Sequence, residues 1–164
     1  MVYELTIQER ERLIGACKTH REKLCVNILL ETGLRVSEFA NLTPDSIQEN
    51  RIMIYKKAGP HTRNLKKRIV PLTDRCRKLL ETHFSLGDGM GITTRTIQRI
   101  VAKVASNAAI AKRVTPQILR KNFMTKCLRR GISIQTIQKI LDRQLIMMDF
   151  YPDPEGEEAL KEFF

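Results

Sequence analysis

The sequence predicts one predominantly α-helical domain with a small antiparallel β-sheet, and three observations carry that prediction. Most apolar residues recur at helical spacing behind Ser or Thr caps. Two short stretches, 51–55 and 68–72, alternate instead, on either side of a Gly59-Pro60 break. The 164 residues suffice for one sizeable core, and no internal repeat, low-complexity tract or linker divides them, so the expected domain is 1–164.

The elements follow in order. Thr6 caps a first helix with Glu9 as its capping-box partner, and the helix runs to about Lys18 with Leu13, Ile14 and Cys17 inward. The apolar run Leu24 to Leu30 forms a second helix, stopped by Gly33 in a left-handed turn. A third helix ends near Leu42, with Val36, Phe39 and Ala40 inward. Thr43-Pro44-Asp45 makes a further turn and cap.

Ile52 and Ile54 then share one face of a strand, and Arg68 to Leu72 is the returning strand. Together they form a hairpin with a long basic tip holding Lys56, Lys57, His61, Arg63, Lys66 and Lys67. Helices resume after Thr73, with Cys76, Leu79 and Leu80 apolar, and break at Gly87-Asp88-Gly89. Thr93 or Thr94 caps a helix carrying Ile97, Ile100, Val101, Val104 and Ala105. Thr115-Pro116 starts the next, closed by Gly131, with Leu119, Phe123 and Cys127 as its inner stripe. Ser133 caps a last helix with Ile134, Ile137 and Leu141 inward, and an acidic tail follows Pro152 and Pro154.

Composition narrows the function. The chain is 42% hydrophobic and 29% charged, an ordinary globular balance. Its 29 Lys and Arg against 18 Asp and Glu leave a net charge of +11, which points to a polyanionic partner. The basic residues are densest at 56–68 and 112–130. Cys17, Cys25, Cys76 and Cys127 form no CxxC pair, as expected of reduced thiols in a cytosolic protein. His20, His61 and His83 share no metal-ligand spacing with them, and no acidic cluster suited to magnesium is evident. No apolar run approaches the ~20 residues that span a bilayer. Phosphate chemistry here is therefore expected to need no metal or other cofactor.

Arg35 falls in the turn between two helices, where a guanidinium beside helix-start amides can fork onto a phosphate. A structural ion pair to Glu31 or Glu38 is the alternative. Further on come Arg120 in the second turn of a Pro-started helix, Leu141-Asp142-Arg143 at the end of the last one, and Tyr151 eight residues later. From about Leu5 to Tyr151 this order resembles the catalytic domain of the tyrosine recombinases, the phage integrase family.

TGLRVSEFANL (32–42) is similar to the family's first arginine box, and Val70-Pro71-Leu72 to the exit from its lysine-bearing hairpin. Pro116-Gln117-Ile118-Leu119-Arg120 stands at the second box and Leu141-Asp142-Arg143 at the third. Gln117 replaces the family's histidine there, Arg143 replaces a histidine or tryptophan, and the Arg143–Tyr151 interval is one residue shorter. Divergent archaeal viral and plasmid integrases depart at the same positions.

The resemblance implies a site made of Arg35, Lys57, Gln117, Arg120, Arg143 and Tyr151. Tyr151 would attack a phosphate of double-stranded DNA, giving a 3′-phosphotyrosyl link and a free 5′-OH. The residue types suit that chemistry. A tyrosine of pKa ~10 is only about 0.1% phenolate at neutral pH and needs a base or a cationic field. Gln117 takes no proton but can hydrogen-bond a phosphate oxygen. Arg35, Arg120 and Arg143 could supply the field. A hairpin lysine could protonate the leaving 5′ oxygen: Lys57 by the family's spacing, with Lys56 and Lys66 open and His61 a further tip residue.

Other roles stay open for single residues. Arg120 could bond backbone or an acid within the core, Arg143 could neutralise Asp142 or Asp149, and Tyr151 could anchor the MMDFYPDP stretch. The family also implies self-association into a tetramer on DNA, weak or absent without it, and a cytoplasmic setting in a virus- or plasmid-borne element. Its members carry an N-terminal DNA-clamping domain ahead of the stretch beginning here at Tyr3, so a fragment or a natural minimal form is expected. A type IB topoisomerase and a non-catalytic DNA-binding relative are the alternative functions.

Overall fold

The computed structural model describes residues 4–56 and 66–142; the hairpin tip and everything from Arg143 onward, including Lys57, Arg143, Tyr151 and the acidic tail, lie outside the described residues. The described chain is largely helical with a three-stranded antiparallel sheet. In order come α1 (Ile7–Gly15), α2 (His20–Thr32), α3 (Val36–Ala40), a 3₁₀ turn (Pro44–Ser46), β1 (Ile47–Gln48), β2 (Arg51–Lys56), β3 (Lys66–Pro71), α4 (Asp74–Phe84), α5 (Thr94–Asn107), α6 (Pro116–Arg129) and α7 (Ile134–Leu141).

Local chemistry fixes the boundaries. Thr6 and Glu9 form the expected capping box on α1. That helix stops at Gly15, with the Ala16 and Cys17 amides closing its last turn on the Arg12 and Ile14 carbonyls, and the amides beyond them belong to the next element. Lys18 and Thr19 both donate their backbone N–H to Glu22 Oε2, at 2.8 and 3.2 Å, in a second capping box that opens α2 at His20. Thr73, Thr93, Thr115 and Ser133 each accept a backbone N–H at the start of α4, α5, α6 and α7.

The core is built round α2, which packs against α1, α4, α5 and α6 and buries residues on every side from Leu24 to Leu30. Leu13, Leu24, Ile28, Leu29, Leu80, Ile97 and Leu119 are fully buried with it. All four cysteines are buried and free. A smaller apolar cluster joins Phe123, Met124 and Cys127 of α6 to Ile137 and Leu141 of α7. Among the described residues no helix is long and apolar enough to cross a membrane.

The sheet adds detail to the expected hairpin. β2 and β3 pair in the register Ile52↔Val70, Ile54↔Arg68 and Lys56↔Lys66, and the two-residue β1 adds a third strand through Ile47↔Ile52. Ile52 is fully buried as its alternation predicts, but Met53 on the opposite face is buried too, so β2 is enclosed on both sides there. β3 also packs against α7, which brings the hairpin to the end of the last described helix.

Candidate functional site

The Gly33 turn positions the first arginine. α2 ends with Gly33 in the left-handed region (φ 63°), and a Cβ there would lie 2.4 Å from Phe123 Cδ1 and 2.8 Å from Leu141 Cδ2. Only glycine allows this backbone so close an approach to α6 and α7. Two residues later Arg35, extended at φ −68° and ψ 148°, is the N-cap of α3. Its backbone N–H and Nη1 both donate to Glu38, at 2.8 and 3.1 Å, and its Nη2 donates to the Asp142 carbonyl at 3.0 Å. The side chain remains 41% exposed. Of the two acids near it in sequence, Glu38 is the partner; Glu31 instead accepts from Thr73 Oγ1 at 2.6 Å.

Arg120 reaches the same place from α6. Its Nη1 donates to the Gly33 carbonyl at 2.6 Å and its Nη2 to the Leu141 carbonyl at 2.7 Å. These backbone bonds realise the structural role open to Arg120 in the sequence, and they also set the plane of its guanidinium beside that of Arg35. Gln117 lies one turn earlier on α6, exposed, three residues from Arg120 and hence on the same side of the helix.

A third arginine completes the cluster. Arg68 on β3 is 8% exposed, donates Nε to the Ile140 carbonyl, and forks onto Glu38 through Nη1 to Oε1 at 2.5 Å and Nη2 to Oε2 at 2.9 Å. Glu38, itself 14% exposed, therefore bridges a buried and a half-exposed guanidinium. Burial opposes its ionisation, but the Arg68 hydrogen bonds, the Arg35 amide and the two positive charges outweigh it and lower its pKa from 4.5 to about 2.

Arg68, Arg120 and Arg35 thus donate to three successive carbonyls, those of Ile140, Leu141 and Asp142. These belong to the end of α7, where carbonyls lack helical partners and the helix dipole is negative. Asp142 closes the helix in the left-handed region (φ 47°), with Oδ2 3.9 Å from Arg35 Nη1.

Of the six residues expected at the site, the described structure brings Arg35 and Arg120 onto adjacent carbonyls and places Gln117 one turn before Arg120 on α6; Lys57, Arg143 and Tyr151 fall outside it. Arg68 was not singled out from the sequence. Its signal was present nonetheless, because Arg68 shares a strand face with Val70 and Leu72, and a charge at an inward position needs a buried partner.

The model of the phage integrase family matches residues 4–148. A tyrosine recombinase of Pseudothermotoga lettingae is 31% identical over 134 residues, covering 76% of this chain and 46% of the relative. Tyrosine recombinase XerA of Saccharolobus solfataricus is 31% identical over 135 residues, covering 80% of this chain and 45% of the relative. The chain thus spans about half the length of these curated relatives. The crystal structure of a XerA recombinase superposes with a TM-score of 0.83 at 28% identity, over 99% of this chain and 64% of that one. The Tn1549 transposon integrase, solved in complex with circular intermediate DNA, shares the fold at a TM-score of 0.72 and 18% identity, over 100% of this chain and 65% of that one. The chain, with its arginines gathered on the end of α7, belongs to the phage integrase family.

Proposed function

We propose that the chain is the catalytic domain of a tyrosine-type site-specific DNA recombinase. The observation that carries this reading is the convergence of Arg35 and Arg120 on adjacent carbonyls at the end of α7, with Arg35 still open to solvent. Two forked donors held in a fixed relation suit the oxygens of one phosphodiester.

In this reading the Tyr151 oxygen attacks the phosphorus in line and the P–O5′ bond breaks. A 3′-phosphotyrosyl bond forms as the tyrosine proton passes to solvent. Lys57, or Lys56 or Lys66 in its place, protonates the leaving 5′ oxygen. Arg35, Arg120 and Arg143 stabilise the charge that grows on the phosphate, by about 3–4 kcal/mol for each well-placed donor. Gln117 hydrogen-bonds a non-bridging oxygen. A 5′-OH from another strand then reverses the step and exchanges the strands. No metal takes part.

The substrate is double-stranded DNA in the cytoplasm or nucleoid, held mostly through phosphates, and exchange takes place in a tetramer assembled on that DNA. A chain that also carries a DNA-clamping domain binds and synapses better than this stretch alone.

Covalent trapping on nicked duplexes from a broad sequence pool tests the proposal, with wild type beside Tyr151→Phe and Arg35→Ala. An adduct that vanishes in both variants supports it, and sequencing the trapped DNA begins to define the site. DNA binding that persists in Tyr151→Phe with no wild-type adduct would instead support a non-catalytic DNA-binding relative. Relaxation of supercoils without strand exchange would support a topoisomerase.

A further inference from the structure

Arg68 is the one arginine of the cluster that a phosphate cannot reach, because its side chain is 8% exposed. Its hydrogen bonds run inward, and two of them end on the carboxylate that holds Arg35. A buried charge survives only with full compensation, and a planar fork meets two partners in different directions where an ammonium serves as a point charge. The Arg68 fork occupies both Glu38 oxygens while Nε meets α7. Glu38 is then left one arrangement in which to receive the Arg35 amide and Nη1.

We infer that Arg68 is a positioning residue for strand cleavage, orienting the phosphate-binding Arg35 through Glu38 and registering both against the end of α7. The inference rests on the recombinase reading above. It ties the hairpin to the chemistry by a second route, since the strand that leaves the lysine-bearing tip also carries the residue that sets Arg35. It also accounts for Glu38 remaining ionised while largely buried.

The test compares single-turnover adduct formation on two nicked duplexes of the trapped sequence. One has a normal scissile phosphate; the other has a methylphosphonate, whose methyl group replaces a charged oxygen and removes a target of Arg35. Arg68→Lys keeps the charge and loses the fork. It should slow cleavage of the phosphate substrate by about 10²-fold, the cost of a misplacement of roughly 1 Å. On the methylphosphonate it should slow cleavage far less, so the phosphate-to-methylphosphonate rate ratio falls as it does in Arg35→Ala. A variant that merely populates the folded state less loses the same factor on both substrates, and that result overturns the inference. Glu38→Gln, close in size and shape, must show the same fall in the ratio, and serves alone if Arg68→Lys fails to fold by circular dichroism. Absence of a Tyr151-dependent adduct in wild type would remove the recombinase reading and the inference with it, whereas equal losses beside an active wild type would remove the inference alone.

Discussion

Gly33→Ala is the substitution whose effect is most directly worked from the structure. The residue sits at φ 63°, where an L-residue costs about 1–2 kcal/mol. The new methyl would meet Phe123 Cδ1 at 2.4 Å and Leu141 Cδ2 at 2.8 Å, and both side chains are buried and have little room to yield. Overpacking of this kind costs about 1–3 kcal/mol, so the total is about 2–5 kcal/mol. Gly131 is the control. It too has positive φ (75°), but nothing lies within 4 Å of a Cβ there, so Gly131→Ala carries only the conformational cost of about 1–2 kcal/mol. Each kcal/mol lowers Tm by about 2–4 °C in a chain of this size, and equilibrium unfolding in urea gives the energies directly. The clash also pushes on α6, which carries Arg120, and on α7, whose Leu141 carbonyl holds it, so Gly33→Ala should lose cleavage activity as well. If Gly33→Ala cost no more stability than Gly131→Ala, the tight approach of α2 to α6 and α7 would be refuted.

Arg120→Ala and Arg35→Ala should separate in stability though both abolish cleavage. The first strips partners from the Gly33 and Leu141 carbonyls, at about 1–3 kcal/mol each, while the half-exposed Arg35 should cost about 1 kcal/mol in the same urea titration. Glu38 should also make stability depend on acid. Its pKa falls from 4.5 to about 2 on folding, so its contribution, roughly 3 kcal/mol, is complete above about 4.5 and is lost as pH falls towards 2. Unfolding measured across that window should be steeper with pH in wild type than in Glu38→Gln; parallel curves would contradict the bridge.

Local signals made most of the fold legible. The Thr6–Glu9 box, the Gly33 stop and the alternation of Ile52 with Ile54 each act within a few residues, and each element formed near where its signal lay. α2 begins earlier than its apolar run because Thr19-His20-Arg21-Glu22 is itself a capping box, a pattern present but unread. β1 has two residues, too few for any alternation to show. At the site, Arg35 and Arg120 were findable from their motifs. Glu38 was one of the two acids open to Arg35, but the partners across the fold were not findable, since Arg120 meets Gly33 across 87 residues and Arg68 meets Glu38 across 30. Such pairs come from tertiary packing, and no periodicity encodes them.

The carbonyl clamp on α7 also sets how that helix tolerates change. Its acceptors are backbone atoms, so exposed side chains such as Gln135 and Lys139 can be exchanged without touching a single bond of the clamp. Length is another matter. One residue inserted or removed between Ser133 and Leu141 would turn the terminal carbonyls by about 100° and shift them by about 1.5 Å. The three guanidiniums would then face the wrong edge of the helix. Seen this way, α7 works as a ruler: what it says in sequence is nearly free, and how many residues it counts is not.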